Sequence, residues 1–209
     1  MAPWCPRCPA GVTNDGSRWT CADHGPVTPL WRPSAAGYDA LAEHLTIAAA
    51  FPTLLPWPLP PGWSVHDFGC VAAPGADGRA SFTACSGATE ADGVVEITVV
   101  SEEAGVGLGA RCAGVVRSDP GAEIGDGPPH ARVRLDGRAV SLWTVSTSDR
   151  DVSFDRSVLA GEAQGRWLWL VLRPASAALL MGAEWPLRDI ASLGPALVDL
   201  PFGYHPPSW

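Results

Sequence analysis

The stretch RWLWLVLR, residues 166–173, decides the fold, because it contains the longest unbroken apolar run of the sequence. Successive side chains of a strand point to opposite faces of a sheet. One face would carry Trp167, Trp169 and Val171, and the other Leu168, Leu170 and Leu172. Since both faces are apolar, we predict a central strand covered on both sides. The run is too short to span a bilayer.

Hairpin signals surround this strand. Residues 157–163 would pair with 166–173 across Gln164-Gly165, and Asp136-Gly137 separates two alternating runs in RVRLDGRAVSLWTV. Further strands are predicted at 64–72, 79–86 and 94–101. Sequential hairpins argue against a doubly wound parallel sheet. The sequence therefore predicts an α+β fold, with a mainly antiparallel sheet of about six or seven strands and a few helices.

Two helices and a proline-rich segment are predicted outside the strands. Ser34 would cap a helix running to about Ala50, in which Tyr38, Leu41 and Leu45 form one apolar stripe. His44 lies beside that stripe and is predicted at the surface. A second helix would begin at Pro186 and end at Gly194. Prolines exclude a helix between 51 and 63, which is predicted to be a strap on the main domain, or a polyproline-type ligand for a partner.

The amino-terminal stretch WCPRCPAGVTNDGSRWTCADHG, residues 4–25, has the spacing of a metal site. Two ligand pairs are present, Cys5-x2-Cys8 and Cys21-x2-His24, and the two-residue gap in each lets both of its ligands face one centre. A hairpin turn at Asn14-Asp15-Gly16 would fold one pair onto the other. This pattern predicts a small zinc ribbon with a structural Cys3His site. The alternatives are a redox Cys-x-x-Cys pair, a catalytic zinc, and chance spacing.

Charge and composition limit the partners. The formal net charge is −8, and residues 1–33 carry +1, so no basic stripe is available for nucleic acid. The amino terminus lacks a secretory pattern, which predicts a cytoplasmic protein that does not enter a membrane.

Three segments are expected: a zinc ribbon at 1–33, a helix and strap at 34–62, and an α+β domain at 63–209.

Other candidate sites are weaker. In GVGLGARCAG, residues 105–114, the ligand-binding candidates are Gly105, Gly107, Gly109 and Arg111. Neither the G-x-G-x-x-G spacing of dinucleotide-binding loops nor the Gly-Lys-Ser/Thr ending of nucleotide-binding loops is present. Acidic residues cluster between Glu102 and Asp126. They could serve in acid–base chemistry, and the alternative interpretation is that they are carboxylates of solvated loops. Cys85 and Ser86 end a predicted strand, but no nucleophile-elbow pattern surrounds them, and core packing is the alternative there.

Several stretches resemble an uncharacterised actinobacterial family that begins with a similar zinc knuckle. They are PWPLPPGW (56–63), ACSG (84–87), EEAGVGLGARCAG (102–114), GEAQGRWLWLVLRP (161–174) and PLRDI (186–190). The resemblance implies zinc ligation by Cys5, Cys8, Cys21 and His24. Some members carry the label phosphotransacetylase, an activity of longer chains with an α/β architecture, so the resemblance supplies no substrate.

The sequence thus favours a non-enzymatic zinc-ribbon protein that binds a protein partner or a small ligand through its α+β domain. The alternative is an enzyme acting on a phosphorylated or acyl substrate held at 105–111, with Arg111 as the anion clamp.

Overall fold

The computed structural model describes residues 1–147, 155–182, 185–204 and 209. Most of the regular structure is antiparallel sheet. The strands of the amino-terminal part are β1 Ala2–Trp4, β2 Thr13–Asn14, β3 Trp19–Cys21, β4 Gly25–Pro26, β5 Leu30–Arg32 and β6 Leu54–Pro56. The remaining strands are β7 Ser64–Ala72, β8 Gly78–Thr89, β9 Gly93–Glu102, β10 Ala131–Leu135, β11 Arg138–Thr144, β12 Ser157–Ala163, β13 Arg166–Arg173 and β14 Trp185–Asp189. The α-helices are α1 Tyr38–Ala48 and α2 Leu108–Ala113, and short 3-10 turns follow β13 and β14.

An eleven-stranded sheet organises the described residues, in the order β1-β5-β7-β8-β9-β13-β12-β11-β10-β14-β6. Its central pairs are the predicted hairpins, including β12 with β13 and β10 with β11. The predicted central strand β13 lies between β9 and β12, with Leu170 opposite Val99 on one side and Leu159 on the other. The pair β10–β14 is parallel. The α+β prediction is confirmed.

The two faces of β13 contribute to two separate cores, as the alternation predicted. Leu168, Leu170 and Leu172 belong to one cluster, which also contains Phe68 and Ile97. Trp169 and Val171 belong to the other, on the face covered by α2. Burying aliphatic and aromatic side chains on both faces stabilises the sheet by roughly 1.5–3 kcal/mol for each fully buried side chain.

The far end of the sheet folds back towards its middle. The hydroxyl of Thr83 on β8 donates to the carbonyl of Leu54 on β6 at 2.6 Å, and that of Ser81 donates to the carbonyl of Pro52 at 2.6 Å. Satisfying these buried hydroxyls with backbone acceptors avoids the cost of unpaired polar groups. The strap that follows α1 is therefore tied to the sheet.

Three local predictions were wrong. Residues 185–189 form strand β14 and not a helix, because Leu187 is buried between β10 and β6 while Pro186 and Arg188 on either side are exposed. The first helix has Gly37, not Ser34, at its amino-terminal boundary.

The third wrong prediction concerns His44, which is fully buried and not at the surface. Its Nε2 lies 2.8 Å from the Thr53 hydroxyl, and its ring packs edge-on against Phe68. Burial lowers the pKa of His44 to about 4, so the imidazole is neutral at pH 7.

Candidate metal centre and adjoining cleft

The first knuckle is built by the turn between Cys5 and Cys8. The backbone N–H of Arg7 donates to the Cys5 Sγ at 3.4 Å, and the N–H of Cys5 donates to the Ala10 carbonyl at 2.9 Å. These bonds hold the Cys5 thiol at the inside of the turn. Cys5 is fully buried, and Cys8 is partly exposed.

The second knuckle is brought to the first by the predicted hairpin. Strands β2, β3 and β4 form a small three-stranded sheet. At its turn the Asp15 carboxylate accepts from the backbone N–H groups of Ser17 and Arg18 at 2.9 and 2.8 Å. Gly16 has a φ of 96°, a left-handed conformation that favours glycine. Cys21 ends β3 and His24 precedes β4, so the hairpin positions both ligands.

The four donor atoms of Cys5, Cys8, Cys21 and His24 all lie within 4.8 Å of one another. The Sγ atoms of Cys8 and Cys21 are 3.6 Å apart, and the His24 Nδ1 is 3.7 Å from the Sγ atoms of both Cys5 and Cys21. A tetrahedral zinc ion with Zn–S bonds of about 2.3 Å would place sulfur atoms roughly 3.8 Å apart, and sulfur and nitrogen roughly 3.6 Å apart. The spacing therefore fits one tetrahedral metal ion.

The surroundings of Cys21 favour the thiolate that a metal needs. Burial opposes ionisation of both Cys5 and Cys21 and raises the pKa of Cys5 to about 12. Hydrogen bonds from the His24 ring and from the backbone N–H groups of Asp23 and His24 outweigh burial at Cys21 and lower its pKa to about 6, so a metal ion would have to displace the proton of Cys5. Thiolates are the form that binds zinc. A Cys3His donor set with four protein ligands is typical of a structural site, since catalytic zinc sites keep one position for water or substrate.

The ribbon is joined to the large sheet by strand pairing and by two arginines. Strand β1 pairs with β5, and β5 pairs with β7. From the first knuckle, Arg7 donates to the carbonyls of Gly105 and Val106 at 2.7 and 3.1 Å. In the opposite direction, Arg111 on α2 donates to the Cys5 carbonyl. The long-range pairing of β1 could not be read from local sequence.

The four residues of the predicted glycine-rich site have different positions. Gly107 and Arg111 line the larger cleft beside the ribbon, and Gly105 lines a smaller one. Gly109 packs on the core, because a Cβ at this position would lie 2.2 Å from the Trp169 Nε1.

Backbone N–H groups of this segment are already engaged. The N–H of Gly105 donates to the Asp119 carboxylate at 2.8 Å, and the N–H of Leu108 donates to Glu102 at 2.8 Å. These two N–H groups therefore have protein acceptors, and Arg111 contributes a charged side chain to the cleft.

The larger cleft has a volume of about 790 Å³ and lies between the ribbon and α2. Its described lining contains four arginines and neither Asp nor Glu, although the whole chain is acidic. The arginines are Arg7, Arg111, Arg117 and Arg156. The ribbon contributes Cys8 and His24 to the same wall. Sequence analysis missed this cluster, because its members come from segments far apart in the chain.

The acidic candidates separate into surface pairs and one buried group. Glu103 pairs with Arg79 at 2.8 Å, and Glu123 pairs with Arg117. Glu102, in contrast, is fully buried beneath α2. Burial raises the pKa of Glu102 to about 7, although the N–H groups of Gly109 and Leu108 favour its carboxylate.

The remaining thiols are core residues. Cys70, Cys85 and Cys112 are fully buried. Burial raises the pKa of Cys85 and of Cys112 well above the ordinary value for a thiol. These two side chains therefore pack as small apolar residues and are not activated nucleophiles.

Together these features define a class: an antiparallel-sheet protein with an amino-terminal cysteine–histidine cluster whose four donors could hold one metal ion. Among the described residues, no helix has both the length and the apolar character needed to cross a membrane.

The chain belongs to a family of unknown function, DUF6758, which matches residues 1–208. Neither the curated proteins nor the solved structures include a match to this chain.

Proposed function

We propose that this protein is a non-enzymatic zinc-ribbon protein whose metal is structural and whose α+β domain binds a small ligand or a protein partner. In this proposal the chain has three segments, the ribbon at 1–33, the strap at 34–62 and the α+β domain at 63–209, and strands β1, β5 and β6 of the first two segments extend the sheet of the third. The reduced thiols that such a site requires are expected in the cytoplasm.

The observation that carries this proposal is the mutual distance of the four donors, all within 4.8 Å and all supplied by protein. Zinc binding by such a donor set stabilises segments that are too small to have a core of their own. The ribbon's strands are two or three residues long, so the metal would supply the energy that holds them.

Metal analysis of the purified full chain tests the metal half of the proposal. We expect one zinc ion per chain, and after cobalt substitution the visible absorption bands of a tetrahedral thiolate complex. Substoichiometric metal, or a six-coordinate cobalt spectrum, would contradict a closed structural site.

The ligand-binding half is supported by the cleft beside the ribbon, which has the size of a small-molecule site. Titration of the full chain with pyrophosphate, ATP and citrate tests ligand binding at this cleft directly. The alternative is an enzyme acting on a phosphorylated or acyl substrate at 105–111, with Gly105, Gly107, Gly109 and Arg111 as its binding residues. Its support is that Gly107 and Arg111 reach the cleft.

A further inference from the structure

We infer that the cleft between the ribbon and α2 binds the phosphoryl groups of a small anionic molecule. The inference deepens the ligand-binding half of the proposed function and names the chemistry of the ligand. It rests on the charges of the cleft, on the fixed positions of its guanidinium groups, and on its size.

The charge of the cleft is opposite to that of the chain. Four of its described lining residues are arginines and none is Asp or Glu, whereas the whole chain has a net charge of −8. Arg117 and Arg156 have carboxylate partners in Glu123 and Asp155. Within the described residues, Arg7 and Arg111 donate hydrogen bonds to backbone carbonyls, which do not neutralise a guanidinium.

Arg7 and Arg111, which have no carboxylate partner among the described residues, are held in place before any ligand binds. Arg7 is fixed by the carbonyls of Gly105 and Val106, and Arg111 by the carbonyl of Cys5. The Arg111 guanidinium also lies over the Trp209 ring, 4.5 Å from its centroid. Groups that are already positioned lose little conformational entropy on binding.

Donor capacity remains in this cluster. The Nε atoms of Arg111 and Arg117 are buried and have no hydrogen-bond partner within the described part of the chain. A buried N–H without an acceptor is costly. Because neither Nε has accessible surface, a ligand oxygen would reach these arginines through the terminal nitrogen atoms. A guanidinium has five N–H donors, and Arg111 uses one of them on the Cys5 carbonyl.

Phosphoryl groups fit this donor set better than a single carboxylate does. Guanidinium groups bind phosphate oxygens with two parallel hydrogen bonds, and several arginines together match several oxygens. The volume of about 790 Å³ lies within the range of small-molecule sites. The concave cleft and the acidic remainder of the surface favour a small molecule over a nucleic acid.

Isothermal titration of the zinc-loaded full chain tests the inference with three probes. Pyrophosphate offers phosphoryl groups alone, ATP offers them on a nucleoside, and citrate is a polyanion without phosphorus. We expect one molecule of pyrophosphate or ATP per chain, with citrate at least tenfold weaker. Tighter binding of ATP would identify a nucleotide-like ligand, and equal binding would identify recognition of the phosphoryl groups alone.

Two substitutions locate the binding. Arg117 lies in the cleft and its guanidinium is hydrogen-bonded to Glu123, outside the ribbon. We therefore expect Arg117→Gln to weaken binding at least tenfold while the zinc content stays the same. Arg138→Gln removes an equal charge at an exposed position of β11, and we expect unchanged binding. Equal losses in both variants would show non-specific charge attraction and overturn the inference.

Zinc measured on the same samples separates this inference from the metal half of the proposal. Stoichiometric zinc without binding of pyrophosphate or ATP would overturn the phosphoryl site and leave the structural metal standing. Citrate that binds as tightly as both phosphoryl probes would also overturn it, while leaving a ligand site in place. Phosphoryl binding by a chain that holds no zinc would support the cleft and contradict the metal site.

Discussion

The guanidinium of Arg111 donates to the backbone carbonyl of Cys5, the first predicted metal ligand. This bond joins α2, which covers one core of the sheet, to the first knuckle of the ribbon. Hydrogen bonds from charged donors contribute about 1.5–3 kcal/mol. The candidate metal centre is therefore supported from the larger part of the molecule as well as by its own turns.

Arg111→Gln should loosen the ribbon. The substitution removes the charged donor to Cys5 and the contact with the Trp209 ring, so we expect zinc to pass to a competing chelator roughly ten times faster. Absorbance of a zinc-sensitive dye measures the release. Arg138→Gln is the matched control, and equal release rates for both variants would show that Arg111 does not support the centre.

Cys21→Ser should abolish stoichiometric zinc. Sites of this kind contribute on the order of 10 kcal/mol of binding free energy, so we expect the free energy of unfolding to fall by at least about 3 kcal/mol. Cys70→Ala is the control, because Cys70 is equally buried but lies outside the donor cluster. Retention of one zinc ion by Cys21→Ser would contradict the assignment of this ligand.

Because of Glu102, the free energy of unfolding should fall as the pH rises from about 4.5 to 7. Its pKa is raised from 4.5 to about 7 in the folded chain, so the folded state binds a proton more tightly than the unfolded state. This stabilising contribution is complete below pH 4.5 and lost as the pH passes 7. The shift corresponds to roughly 3 kcal/mol at 1.36 kcal/mol for each pKa unit.

Urea unfolding of the native chain and of Glu102→Gln across pH 5–8 measures this effect. The metal site titrates in both proteins, so its contribution cancels in the difference. We expect Glu102→Gln to gain stability relative to the native chain as the pH rises. A difference that does not change with pH would show that Glu102 ionises normally.

Gly109→Ala should destabilise the fold without changing the metal site. The added Cβ would lie 2.2 Å from the Trp169 Nε1, in a region buried beneath α2, and overpacking of this kind costs about 1–3 kcal/mol. Gly11→Ala is the control, since no atom lies within 4 Å of its Cβ position. Chemical denaturation compares the two. Equal stability would mean that α2 can shift away from β13.

Local sequence patterns predicted most of the sheet. The strands 157–163 and 166–173 and the turn at Asp136-Gly137 have strong alternation and turn signals, and each is present in the structure. The Cys and His spacing likewise predicted a cluster that the structure brings together. In each case the information lies within a few residues of the feature.

Features that depend on distant pairing were not predictable in this way. Strand β14 has a proline and an apolar spacing that suggested a helix, but pairing with β10 and β6 determines its conformation. The arginine cleft combines Arg7 with residues about a hundred positions later. Burial of His44 likewise follows from the packing of α1 on β7 and from Thr53. None of these contacts leaves a local pattern.

The two outermost strands of the large sheet, β1 and β6, are each three residues long, and each contains a proline, Pro3 and Pro56. Proline offers no N–H to an incoming strand, and short edges give little template for intermolecular pairing. Neither edge of the sheet therefore favours the addition of a strand from another chain. Any self-association of this chain is expected to use side-chain surfaces and not shared backbone hydrogen bonds.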